Sequence, residues 1–389
     1  MAVDARTMYS HQLGRYVARM PTLPQVFSSV RRRLSRGLVS VAAAGAMVGI
    51  SALPASASSG WTLQAIPGKP DLFSLSCWAT DGCMAVGSTA AFPYKTAAER
   101  WNGLSWTRLS TPSLVDSVGT SKLVSVSCWA ANGCFALENQ QDSQVPNRIQ
   151  RWNGASWRVV STLPRDVGLT GAACQSASSC MIVGYFFTKT GTGYSTAYHQ
   201  HPYAQRWNGS RWTTLQVPTP AGYGYLQSVS CSGVTCIAVG GRANHAKTWA
   251  ASWSGRTWSA LNAYNPSSGG DLGAVSCWAS TGCIAVGSES GYGGNTFAQR
   301  WNGRSWSPLR TPNPPGGHLS SVSCSSAVAC TAGGNFPGHD PALTERWDGK
   351  TWVQQDVSQA DTGVYWGVVC RTATNCEAVG GTGAAGWTP

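Results

Sequence analysis

The sequence predicts a closed seven-bladed β-propeller, and three observations predict it. Fourteen cysteines fall into seven close pairs, a turn flanked by tryptophans follows nearly every pair, and the last repeat lacks a strand that stands ahead of the first. Gly, Trp and Ser are abundant and charge is sparse, as expected for short strands joined by tight turns.

The leader comes first in the chain. Arg31, Arg32, Arg33 and Arg36 precede an apolar run from Gly37 to Leu53, and Ala55-Ser56-Ala57 supplies small residues for cleavage. This order predicts a leader and signal peptide over 1–57 and one folded domain over 58–389. The apolar run is at the short end for a membrane span, so no span is expected after cleavage. The arginines leave both Sec and twin-arginine export open. Beyond the leader, 21 Lys and Arg face 15 Asp and Glu, about +6, scattered one or two to a repeat. A nucleic-acid or membrane-surface partner calls for a clustered basic patch, so neither is expected.

The cysteine pairs are Cys77/Cys83, Cys128/Cys134, Cys174/Cys180, Cys231/Cys236, Cys277/Cys283, Cys324/Cys330 and Cys370/Cys376. Even count, regular spacing and an export signal indicate disulfides and a secreted protein, whereas zinc knuckles would need C-x2-C spacing. Each bridge closes a small ring worth about 2 kcal/mol by the chain-entropy model. Successive first cysteines are 51, 46, 57, 46, 47 and 46 residues apart, the period of a propeller blade.

Each repeat reads as four strands. The first carries Leu-x-x-Val-x-Cys, as in Leu272/Val275/Cys277, with a small residue before the valine that suits crowding near an axis. The second begins at the second cysteine and carries Ala-Val-Gly, as in Ala85-Val86-Gly87. The third ends at Trp101, Trp152, Trp207, Trp253, Trp301 or Trp347. Asn-Gly or Asp-Gly then predicts a hairpin with φ > 0 positions, and Trp106, Trp157, Trp212, Trp258, Trp306 or Trp352 opens the fourth strand as a cross-strand partner. The final repeat stops after its third strand at Ala384–Pro389, and Gly60-Trp61-Thr62-Leu63 supplies the fourth. The N-terminal strand is thus expected to complete the C-terminal blade and close the ring, giving a monomer.

Gly240-Gly241, Gly333-Gly334 and Gly380-Gly381, together with Glu99-Arg100-Trp101 and Glu345-Arg346-Trp347, are similar to kelch-type propeller repeats. The chain resembles a kelch-like secreted bacterial seven-bladed propeller over Ser58–Pro389, but with a cysteine pair in every blade and Trp where Tyr is usual. The resemblance implies the fold and a binding role, since one propeller fold hosts many functions.

Antiparallel order puts the loops between strands two and three on the same face as the connections between blades. These vary in length and hold all five histidines beyond the leader and most tyrosines, whereas the turns on the opposite face are short and uniform. The candidate ligand-binding residues are Tyr194, Tyr198, His199, His201, Tyr223, Tyr225, Tyr292, His318, His339 and Asp340. They centre on the insertion Tyr185–Tyr203 and on Ala221–Tyr225, both assigned to blade three; Tyr and Gly make adaptable surfaces at low entropic cost. His199-x-His201 lacks a clear third ligand, so no metal or other cofactor is expected.

The repeated Trp and Arg residues read as packing, with Trp78, Trp129 and Trp278 covering the disulfide hairpins. Asp116, Glu138, Asp142, Asp166, Asp271, Glu289, Asp340 and Asp361 are spread over different blades, and no spacing singles out a catalytic pair. No G-x-S-x-G or phosphate-cradling motif occurs. The reading is a secreted non-enzymatic propeller that binds a glycan, cell-wall polymer or protein. The alternative is an extracellular carbohydrate-active hydrolase or lyase with acids converging in the central channel.

Overall fold

A computed structural model of the chain describes residues 60–114, 120–140, 145–192, 196–220, 223–242, 247–290, 294–314, 316–336, 342–357, 363–381 and 383–388. They lie in the compact unit Ser58–Pro389; the unit Met1–Ala57, with the expected signal peptide, is outside the described residues. Seven four-stranded antiparallel sheets are present, each in meander order, and the described residues include no helix. The innermost strands, in blade order one to seven, are Asp71–Ala79, Ser121–Ala130, Val167–Ser176, Gly224–Ser232, Gly270–Ala279, His318–Ser326 and Tyr365–Thr372.

The seventh blade takes Gly60–Gln64 as its outer strand, paired antiparallel with Ala384–Thr388 with Trp61 opposite Trp387. Gln64 adds a clasp: its Nε2 donates to Glu377 Oε2 at 2.9 Å, and its Oε1 accepts from Trp106 Nε1 of blade one at 2.7 Å. Blades one, three, four and five carry Leu109, Leu215, Leu261 and Leu309 at the end of the corresponding short strand, so this polar clasp departs from the repeat.

Second strands are buried on both faces; every residue of Gly82–Ser88 is buried. Cys83 and Ala85 pack in one cluster with Val379 of blade seven, while Met84 and Val86 pack in another with Leu123 and Val126 of blade two. Alternate residues of one strand therefore bind two neighbouring blades, and the core is a ring of seven such interfaces.

All seven expected disulfides form, Cys77–Cys83, Cys128–Cys134, Cys174–Cys180, Cys231–Cys236, Cys277–Cys283, Cys324–Cys330 and Cys370–Cys376. Each joins directly opposed residues of the first two strands, with Cα atoms 3.9–4.0 Å apart. The bridges do more than pin the two arms of a hairpin, because their second cysteines are core residues. Cys134 and Cys283 have no exposed area, Cys376 is 1% exposed and Cys330 2%. Each of these four packs in a different interface cluster, so they belong to the scaffold and not to any ligand-binding surface.

Six blades carry the expected tryptophan pair, ring centroids 5.4–5.9 Å apart. The turn between them differs from expectation. Only glycine has positive φ, as at Gly103, while Asn102 Oδ1 accepts the backbone N–H groups of Leu104 and Ser105. One left-handed position and one side-chain acceptor replace the two φ > 0 residues expected. Arg100, Arg151 and Arg300 stand over Trp78, Trp129 and Trp278 at 5.5–5.7 Å, a cation–π role within each blade.

Neighbouring inner strands are stitched together by serine. Ser74 and Ser76 Oγ accept the backbone N–H groups of Val126 and Cys128 in blade two, and the pattern repeats around the ring. Nine such bonds occur among the described residues, at 2.8–3.3 Å. Blades three and seven have no serine to offer there. Thr170 Oγ1 donates to Leu226 O instead, and Arg371 donates to the carbonyls of Cys77 and Trp78.

Two buried acids make the ring sensitive to pH. Burial raises Glu345 from 4.5 to about 7, with Thr296 pulling the other way, and raises Glu377 from 4.5 to about 7 against the hydrogen bond from Gln64. Both bind a proton more tightly folded than unfolded, so stability falls as pH rises from 4.5 to about 7 and levels off above. A fall in Tm of roughly 5 °C between pH 5 and pH 8 is expected in scanning calorimetry, flattened in Glu345→Gln/Glu377→Gln; an unchanged slope in that variant would refute the assignment. Gln64→Leu, which leaves Glu377 and Trp106 without their partner, should cost about 1–3 kcal/mol in urea unfolding.

Candidate functional site

The hairpin formed by Ser179–Thr190 and Ala197–Trp207 is the largest break in the repeat. In blade one the same two strands pair no further than Ser88 with Thr96. In blade three they continue past the corresponding pair, Tyr185 with Pro202, for five more pairs out to Thr190 with Ala197. The insertion expected as a loop is thus an arm of sheet, reaching roughly 17 Å farther at the usual strand rise.

Strand alternation sorts its side chains. One face carries Phe186, Thr188, His199 and His201. His201 stacks on Phe186, centroids 4.9 Å apart, and Thr188 and Thr190 hydroxyls lie 2.9 and 2.7 Å from Nε2 of His201 and His199. The other face carries Tyr185, Phe187, Lys189 and Tyr198. Phe187 meets Tyr185 and Tyr198 edge-on, and the Lys189 ammonium stands 5.4 Å over the Tyr198 ring.

Tyr223 reaches this arm from the connection entering blade four, not from blade three as the sequence suggested. Its ring stacks on His199 at 4.2 Å and meets His201 edge-on at 5.1 Å. Its backbone has φ 69°, a left-handed conformation costly for a residue with a side chain, so local contacts must hold it. Desolvation first, and the neighbouring His199 second, depress His201 below the usual histidine value of 6.5. His199, His201 and Tyr223 together form an amphipathic surface on one face of the arm that can stack on a ligand and exchange hydrogen bonds with it, while Phe187 and Tyr198 belong to the opposite face.

Tyr225 lies apart from that surface. It is buried in the inner strand of blade four, and its hydroxyl donates to Asp271 Oδ2 of blade five at 3.0 Å. His318 is exposed at the start of the blade-six inner strand, its Nε2 3.5 Å from Ser288 Oγ. Tyr194, Tyr292, His339 and Asp340 lie outside the described residues. Sequence reading missed that Asp71, Lys122, Tyr225, Asp271 and His318 occupy one repeat position, just before the inner-strand Leu. Aligning the repeats there would have found this set.

The acids do not gather into one pocket among the described residues. Glu138 replaces the Gly of Ala-Val-Gly in blade two and is fully buried, yet it is saturated with donors. Ser121 Oγ, Gln140 Nε2, Arg148 Nε and NH2, and Gln150 Nε2 all lie within 2.5–2.9 Å of its oxygens. A carboxylate so bound is structural. Glu289 accepts from Ser268 and Asn295, and Asp271 from Tyr225, in separate contacts. Asp116, Asp142 and Asp361 are outside the described residues. A cleft of about 430 Å³ between blades three and four is lined by repeat residues such as Trp253, Trp258 and Val217.

No family model matches the chain, and no curated protein does. Solved structures share its fold. A structure of YCF48 bound to a D1 peptide has TM-score 0.58 and 15% identity over 86% of this chain and 97% of that one. YCF48 from Cyanidioschyzon merolae has TM-score 0.58 and 14% identity over 85% and 99%. A GH74 enzyme from Niastella koreensis has TM-score 0.54 and 15% identity, over 83% of this chain but 53% of that one. At these identities the fold alone is shared.

The histidine cluster yields a titration test. Tyr223→Ala rehydrates His201 and should move its imidazole titration upward toward 6.5 in an NMR pH series, as should His199→Gln. No movement in either variant would refute the packing of Tyr223 over the pair.

Proposed function

We propose that the protein is a secreted, non-enzymatic propeller that recognises an extracellular glycan, cell-wall polymer or protein on its variable loop face. The observation that carries this reading is Tyr223, held in a left-handed conformation and stacked on His199 at 4.2 Å, against an arm with no counterpart among the described residues of the other blades. Binding residues concentrate where a rigid scaffold presents irregular segments. Seven disulfides fit an oxidising environment and support export. The kelch-type resemblance supports binding over a reaction. The YCF48 structure with a bound peptide is a propeller of this fold in a binding role, which keeps a protein ligand within the proposal.

An enzyme reading draws on the GH74 likeness, but the described carboxylates favour binding, since Glu138 is saturated and Asp271 and Glu289 sit in separate contacts. The test is a combined binding and turnover screen of the oxidised protein against a glycan array, cell-wall polymers and extracellular proteins. Retention of a ligand without product, weakened at least tenfold in Tyr223→Ala and His199→Ala, is expected. Released product would overturn the proposal.

A further inference from the structure

Every inner strand carries a bulge at the same place, between the repeat Leu (Tyr365 in blade seven) and the small residue two positions on. The skipped residues are Phe73, Val124, Thr170, Gln227, Gly273, Ser320 and Trp366, one per blade. Their surroundings locate the position. Thr170 Oγ1 donates to Leu226 O at 2.7 Å and Ser320 Oγ to Tyr365 O at 3.1 Å, each reaching the inner strand of the next blade. A Cβ on Gly273 would stand 3.1 Å from Leu319 O, in the same relation. The bulged residues therefore sit where neighbouring inner strands meet, beside the axis of the ring.

This ring is uneven. Blades seven, one and two contribute Trp366, Phe73 and Val124, while blades three to six contribute Thr170, Gln227, Gly273 and Ser320. The first group is large and apolar on three consecutive blades; the second is small or polar on four. Trp366 and Phe73 are partly exposed and Gln227 is exposed. No member of the ring is charged. Two residues before it in each blade, Lys122 acts on Asp71 and stands 5.7 Å over Phe73, Tyr225 bonds to Asp271, and His318 is exposed, its Nε2 3.5 Å from Ser288 Oγ.

We infer that these residues line the central channel and make it a second ligand site, which takes a neutral oligosaccharide with one sugar face against Trp366 and Phe73 and its hydroxyls toward Gln227 and the hydroxyl-bearing wall. Concave sites that combine an apolar wall with a few placed polar groups are the common form of small-molecule pockets. A ring with no charged member offers no ionic partner of its own, whereas aromatic faces opposite amide and hydroxyl groups suit a molecule that is apolar on its faces and polar at its edges. This site is carried by residues other than the arm and Tyr223, and stands whether or not the arm binds anything.

The test is isothermal titration calorimetry on the full oxidised protein with cellohexaose, chitohexaose, maltohexaose and xylohexaose, and with oligogalacturonate as an acidic comparison. At least one neutral hexasaccharide should bind, with Kd raised tenfold or more in Trp366→Ala and in Phe73→Ala. Gln227→Ala, at an exposed position that leaves the blade core intact, should raise Kd severalfold and serves if an aromatic variant fails to fold. Leu104→Ser, in an exposed turn on the opposite face, should leave Kd unchanged. Binding of none of the neutral sugars, undiminished binding in Trp366→Ala and Gln227→Ala, or binding of oligogalacturonate alone would overturn the proposal. Loss of sugar binding in Tyr223→Ala but not in Trp366→Ala would place the sugar on the arm and overturn it equally.

Discussion

Seven inner strands converging on one axis leave almost no room between blades, and much else in the structure answers to that crowding. A Cβ on Gly171 would stand 3.1 Å from Ser228 Cα, and one on Gly367 3.3 Å from Ser74 Cα. Only Gly, Ala or Ser fits such a position. Serine has a second merit there, because the edge of an inner strand presents backbone N–H groups that water reaches poorly, and a buried donor without an acceptor costs about 1–3 kcal/mol. Ser Oγ supplies the acceptor without adding bulk. The Ser-x-Ser-Cys pattern is therefore a steric and a hydrogen-bonding solution at once.

With the axis settled, the remaining layers follow outward. Second strands bury both faces because each side meets a neighbouring blade, and their alternate residues belong to different interface clusters. The tryptophan pairs and Arg–Trp contacts close the blade at its rim, where the sheet would otherwise expose large apolar area. Ring closure is the single place where the chain must return to itself. There Gln64 takes the position that leucine holds in blades one, three, four and five, adding directional bonds to both blades across the seam.

Most of this fold was legible because it is repeated: cysteine spacing, Trp-Asn-Gly turns and the detached last strand each announce themselves many times over or at a matched pair of ends. The interactions that occur once were not legible. Nothing in the residues Tyr185–Tyr203 distinguishes a long loop from an extended hairpin, since Thr, Tyr and Phe suit a strand while Gly191 and Gly193 suit a turn. Tyr223 looked like a member of blade three because it follows that blade's fourth strand, yet it belongs to the entry of blade four and returns to blade three through space. Tyr225 looked like its companion, but strand alternation turns it inward to Asp271. The bulged residues were invisible because a bulge shifts register by one, so Trp366 and Phe73 read as ordinary members of a strand.

A repeat protein also separates structural from functional oddities. A residue type that breaks the pattern has lost the packing partner its equivalents enjoy, so either its neighbours change with it or the break is left open. Glu138 breaks the Ala-Val-Gly pattern, and Ser121, Gln140, Arg148 and Gln150 supply five donors to its two oxygens. That break is closed, and it explains a blade interior rather than an activity. Tyr223 is half closed, since stacking on His199 compensates its backbone strain while leaving the tyrosine partly exposed. Trp366 and Phe73 put an aromatic ring at a position that elsewhere holds Gly, Ser, Thr, Val or Gln, and both stay partly exposed. Large aromatic area left facing water in a concave wall is unfavourable by about 25 cal/mol per Å², a cost that burial against a ligand removes.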